Sequence, residues 1–282
     1  MNCELAFKVD VGTLEGYTSG VPRLLDILGK KRIKASFFFS MGPDNSSKAA
    51  SGIFRNGFLA KMLRVKAPVI AASNPDILKR AVDEGHDCGV LCWDHVRWYD
   101  HLSTLTHKEI RDELSRAAEL FSDITGAPPK SCAAPGWQVS LDSLTAQNEL
   151  EFDYASDARG TSPFLPSVGD AVFRTIQIPT TLPTLDELLG TSGINAENVN
   201  GHYLDLLEPG LNVHTVHADV EGGDMSAIFA GLVDCCIDGE MAFPTLKDIA
   251  SRFGDAERAA LKCSVEMCEV PGRAGKVAVQ LK

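Results

Sequence analysis

Short runs of consecutive apolar residues alternate along the chain with longer segments whose apolar positions recur at helical spacing, the pattern of strands separated by crossover helices. Residues 5–9, 35–40, 88–91, 131–134, 154–156, 172–178 and 211–216 read as strands. Residues 21–28 read as a helix, with Pro22 near its start and Gly29 just past its end, the punctuation helices prefer. Further helices are predicted over 75–85, over 105–124 with Thr106 as a cap, over 224–238 and over 246–253. A Gly-, Pro- and Ser-rich loop covers 41–52, and a last short apolar run lies at 241–243. No repeat, low-complexity tract or linker interrupts this rhythm. Residues 1–255 therefore read as one domain and 256–282, with Gly272 and Gly275, as a C-terminal extension.

Composition narrows the partners. The 27 Lys and Arg stand against 38 Asp and Glu, a formal charge of -11, and the longest basic tract is Lys30-Lys31-Arg32. Phosphate-tracking surfaces need the opposite balance, so nucleic acid is excluded as an expected partner. The eight cysteines are too sparse and irregular for a disulfide scaffold, which points to a reducing compartment. The first residues lack the charged start, apolar core and cleavage site of a signal peptide, and no apolar run approaches the ~20 residues of a membrane span. A cytoplasmic protein is expected, in contact with the inner face of a membrane at most.

In a parallel α/β architecture, the loops at strand C-termini carry the chemistry. Asp10 follows the first strand, His86 to His95 surrounds the third, Pro135-Gly136-Trp137 follows the fourth, Asp157 and Arg159 follow the fifth, and His217 to Gly222 follows the late strand. Taken singly, each has an ordinary reading. An Asp at a strand end is more often a turn or helix cap than a base, a lone His is commonly structural, Trp137 could be core, and Arg159 could be a surface ion pair.

Taken together, the segments GVPRLL (20–25), ASFFFSMGPDN (35–45), FLAKMLR (58–64), WDH (93–95), QIPTTLPT (177–184) and HADVEG (217–222) resemble the polysaccharide deacetylases of the NodB-homology type. The resemblance is nearest to the deformylases that act on an undecaprenyl-phosphate-linked formamido-arabinose, and it covers about residues 5 to 255. It implies a distorted (β/α)7 TIM-like barrel and a hydrolase that removes an N-formyl or N-acetyl group from an amino sugar, with a divalent metal, zinc or similar, as cofactor. By the same resemblance Asp10 is the base, His217 the acid and Asp157 the residue that tunes it, while Pro135, Gly136, Trp137 and Arg159 line the sugar pocket.

His95 matches one metal ligand, but Gly12 and Leu91 stand where the family has an Asp and a second His. A single imidazole cannot hold zinc, which in catalytic sites takes three protein ligands and water. Cys92, adjacent to the lost ligand, should face the other way in an extended segment. Two functions therefore stay open: the family's hydrolysis, favoured by intact Asp10, Asp157 and His217, or a non-catalytic relative that binds a sugar, lipid or protein. A lipid-linked sugar would bring the protein to a membrane surface, and the stretch 58–66, apolar at Phe58, Leu59, Met62 and Leu63 beside Lys61, Arg64 and Lys66, is either a lipid contact or a helix packed on the barrel.

Overall fold

The computed structural model describes residues 3–48, 67–191, 193–254 and 261–281. The amphipathic stretch 58–66 and, around the start of the predicted extension at 256, residues 255–260 lie outside them. In chain order the strands are β1 (Glu4–Val11), β2 (Ser36–Ser40), β3 (Asp87–Cys92), β4 (Ser131–Ala133), β5 (Tyr154–Ser156), β6 (Leu165–Val168), β7 (Ala171–Val172), β8 (Ile176–Gln177), β9 (Leu211–His217), β10 (Lys262–Glu269) and β11 (Lys276–Leu281).

Seven of them form one sheet in the order β8-β5-β4-β3-β2-β1-β9, with every pairing parallel. β1 lies inside the sheet between β2 and β9, which is why it is buried from Leu5 to Val11. Strands covered on both faces read as continuous apolar runs; Lys8 and Asp10 are the polar exceptions. The sheet curls toward closure, and the remaining gap is spanned by the chain just after β8. There the N–H groups of Thr181 and Leu182 donate to the Val213 carbonyl at 3.0 and 3.2 Å, and the Val213 N–H donates to the Thr181 hydroxyl at 2.9 Å. This is the distorted barrel the resemblance implied.

The crossover helices follow from their sequences. Helix Val21–Lys31 buries Val21, Leu24, Leu25 and Leu28 on one face and ends where Arg32 turns left-handed at φ 57°. Helix His107–Thr125 starts on a capping box in which the Thr106 hydroxyl accepts from the Glu109 N–H while the Glu109 carboxylate accepts from the Thr106 N–H. Gly20 is required at its place because a Cβ there would lie 1.8 Å from the Ala218 carbonyl oxygen. The GVPRLL and HADVEG segments are thus pressed together at the top of the barrel.

Two departures from the sequence reading concern strands. The run 172–178 splits: Val172 ends the short β7, and only Ile176–Gln177 joins the barrel as β8, because residues 165–172 fold out as the β6–β7 hairpin. The C-terminal segment is a second hairpin, β10–β11, whose β10 pairs in parallel with β6 to build a separate four-stranded sheet, β11-β10-β6-β7. Its turn reaches the mouth of the barrel.

Candidate active site

Asp10 and His217 are register partners at the ends of neighbouring parallel strands. Partners in register project to the same side of a sheet, and both line one cavity of about 420 Å³ at the C-terminal end of the barrel. Asp10 is buried. Its Oδ2 accepts from Lys8 Nζ at 3.0 Å, while Oδ1 has no hydrogen-bond partner among the described residues. The His217 backbone N–H donates to Glu221 Oε2 at 2.9 Å, and its ring Nε2 lies 3.8 Å from Asp186 Oδ1. Burial disfavours the imidazolium, but Asp186, Glu221, Asp10 and Asp219 together outweigh it and raise the pKa of His217. Burial in turn pushes the Glu221 carboxyl up to about 7, against the pull of His217.

The residues expected to line a sugar pocket divide into two groups. Pro135 and Gly136 do line the cavity. Gly136 has φ +59°, and a Cβ there would meet Tyr99 Cε2 at 2.1 Å, so backbone and aromatic ring are in closest possible approach. Trp137 and Arg159 sit behind this wall. Trp137 is 1% exposed, donates from Nε1 to the Thr180 hydroxyl at 3.1 Å, and has Lys8, Arg159 and Arg273 at 5.4, 4.9 and 4.6 Å from its ring. Arg159 spends its guanidinium on Glu187, 2.8 Å from Oε1, and on the Leu182 carbonyl at 3.0 Å. Asp157, fully buried, accepts from Gln147 and Gln177 at 2.8 and 2.9 Å. Burial raises its pKa, opposed by the two glutamines and by Lys8. Asp186, in the short helix Leu185–Leu188 after β8, is the carboxylate set against the His217 ring, while Asp157 is fully buried and feels the charge of Lys8.

His95 opens helix His95–His101, and its position is fixed by the residue before it. Asp94 caps that helix by accepting from the Val96 and Arg97 N–H groups, both at 3.1 Å, and its own N–H donates to buried Glu113 at 3.0 Å. The conspicuous Asp94 of the WDH segment is therefore structural. Burial lowers the pKa of His95, leaving a neutral imidazole in the cavity wall. Cys92 faces away, as expected, with its sulfur 3.6 Å from the Ser40 hydroxyl.

Metal use is general among relatives of this kind, but the donor set here does not fit it. Gly12 supplies no side chain, Leu91 supplies an alkyl group to the same cavity, and among the described residues no three His, Cys, Asp or Glu are grouped to hold an ion. A Cβ on Gly12 would meet His95 Cδ2 at 3.7 Å, an ordinary contact, so a side chain there has room.

Lys8, Asp186 and Arg273 are parts of the site that sequence reading passed over, and Asp219 was included only as part of the HADVEG segment. Lys8 had one available signal, a lysine two residues before Asp10 inside an otherwise apolar strand. Arg273 had none, because its position depends on the pairing of β10 with β6, a contact between residues about a hundred apart in sequence.

The family model for polysaccharide deacetylases matches residues 5–155. A probable 4-deoxy-4-formamido-L-arabinose-phosphoundecaprenol deformylase, ArnD, of Shewanella sediminis (strain HAW-EB3) is 38% identical over 248 residues, 82% of this chain and 80% of the relative. The protein of the same description from Wigglesworthia glossinidia brevipalpis is 31% identical over 288 residues, 95% and 99% of the two chains. Among solved structures, a polysaccharide deacetylase from Mycobacterium smegmatis superposes with a TM-score of 0.66 at 18% identity, covering 95% of this chain and 94% of that one. With the barrel, the register-paired Asp10 and His217 at its mouth and these likenesses in agreement, the chain belongs to the polysaccharide deacetylase family of carbohydrate hydrolases.

Proposed function

We propose that this protein removes the N-formyl group from a polyprenyl-phosphate-linked formamido-arabinose, the substrate its relatives in Shewanella and Wigglesworthia are named for. The observation that carries this reading is the pairing of Asp10 with His217 across β1 and β9, both facing one cavity. A carboxylate with one oxygen free of hydrogen bonds is suited to take a proton from water. An imidazole whose pKa is raised by surrounding carboxylates is suited to hold one. In the reaction the water oxygen bonds to the formyl carbon as its proton passes to Asp10. The C–N bond then breaks as His217 delivers its Nε2 proton to the departing amine, leaving formate and the free amino sugar. Asp186 holds the imidazolium, Pro135 and Gly136 form one wall against the sugar, and Arg273 supplies the cavity's guanidinium.

The lipid carrier would place the enzyme at the cytoplasmic face of a membrane. No helix among the described residues is long and apolar enough to cross one. The test is formate release from the lipid-linked sugar in detergent micelles, with the amine product identified by mass. Turnover that falls at least about a hundredfold in both Asp10→Asn and His217→Asn supports the reading, that being the scale of general acid and base catalysis. Binding of the sugar with no formate released would overturn it in favour of a ligand-binding relative.

A further inference from the structure

Resting on that reading, we propose that Lys8 is the positioning residue for the reaction, acting through Asp10. Lys8 is completely buried, an unusual place for an ammonium, and its hydrogen-bond partner is Asp10 Oδ2 at 3.0 Å. Because side chains alternate along a strand, Lys8 lies one step below Asp10 on the same face of β1, inside the barrel. Its surroundings are aromatic, with Phe38 at 6.0 Å and Trp137 at 5.4 Å, and it interacts electrostatically with the buried Asp157.

A buried ion pair of this kind is poorly explained by stability, since apolar residues of the same volume usually serve as well or better. Its geometry does have a chemical use. The ammonium engages one carboxylate oxygen and fixes the plane of the group. The other oxygen, Oδ1, is buried and left without a hydrogen bond among the described residues, on a side chain that lines the cavity. Among the described residues no three His, Cys, Asp or Glu are grouped to hold an ion at this site, and the positive charge beside the base comes from a side chain of β1 instead. Trp137 completes the arrangement by walling the ammonium from water. This gives a buried tryptophan behind the cavity wall a function in the site.

The experiment compares formate release by Lys8→Met, Lys8→Arg, Asp10→Asn and the double variant Lys8→Met/Asp10→Asn, with a thermal melt of each. Lys8→Met is expected to lower kcat about a hundredfold, the scale of a misplaced catalytic group, with KM changed by less than about threefold. Lys8→Arg, which keeps the charge, should recover part of that loss. In the Asp10→Asn background Lys8→Met should change kcat no further, whereas a merely structural lysine would multiply the two losses. The double variant, in which both charges are gone, also keeps the comparison available if Lys8→Met alone folds poorly. Wild-type turnover indifferent to Lys8→Met, or losses that multiply in the double variant, would overturn this inference alone. A wild-type chain that releases no formate would overturn it together with the deformylase reading.

Discussion

The imidazole of His217 is governed by carboxylates from two directions: Asp186 from the short helix Leu185–Leu188 after β8, and Glu221 and Asp219 from the turn after β9 together with Asp10 from β1. Asp186 heads the carboxylates that raise its pKa, so Asp186→Asn removes the largest favourable charge. The folded enzyme then loses its imidazolium at a lower pH, and the alkaline limb of the kcat/KM profile should move downward, as initial rates from pH 6 to 9 would show. A profile unmoved by the substitution would mean that His217 is not the proton donor. At Gly12 and Leu91 the chemistry is a matter of missing donors in an intact shell. His95 already faces the cavity and a Cβ at position 12 has room. The Gly12→Asp/Leu91→His variant should therefore retain about one zinc per chain after dialysis, counted by plasma mass spectrometry, where three protein ligands suffice for a catalytic site.

At the scale of elements, the β10–β11 hairpin contributes a wall the barrel lacks. Gly272, Arg273 and Ala274 line the cavity, and Arg273 Nη1 stands 3.6 Å from Glu187, which is already held by Arg159 at 2.8 Å. Arg273→Met should leave Glu187 paired and the fold intact while raising KM about tenfold, the equivalent of one charge-assisted hydrogen bond of about 1.5 kcal/mol. Steady-state kinetics with a melting control would check it. This hairpin also marks the limit of what was legible beforehand. The barrel strands announce themselves because parallel, doubly covered strands are short apolar runs, and β1, β2, β3 and β9 lie within two residues of where the pattern put them. Helix His95–His101 was passed over because its register is set by the side chain of Asp94 and by Glu113, 19 residues on, with little apolar periodicity to reveal it. Asp10, His217, Pro135 and Gly136 were legible as strand-end chemistry. Arg273 and Asp186 were not, since tertiary closure alone brings them to the cavity.

Across the whole molecule, two buried histidines outside the Asp10–His217 pair add to its sensitivity to acid. Burial lowers His86 to about 4, with Lys34 adding to it, and lowers His214 to about 3, with His217 and Arg159 adding to it. An unfolded imidazole titrates near 6.5, so the unfolded chain binds protons that these folded sites refuse. Their contribution to stability is complete above about 6.5 and is lost as pH falls through 6 and 5 toward 4. His214→Phe, placed beside the rings of Phe7 and Tyr203, should therefore lose less of its melting temperature between pH 7 and 5 than the wild type does. Calorimetry at the two pH values would decide it. The barrel's closure carries a different consequence. Since the chain just after β8 is joined to β9, among the described residues, by hydrogen bonds of Thr181, Leu182 and Val213 and by one between the Thr180 and Thr215 hydroxyls, and not by a ladder, the cylinder has a seam, and amide hydrogens there should exchange with deuterium sooner than those of β1. Asp186 hangs from the same stretch of chain as that seam, so each brief unfastening would carry a counter-ion away from His217, and the strength of the acid would breathe with the wall of its container.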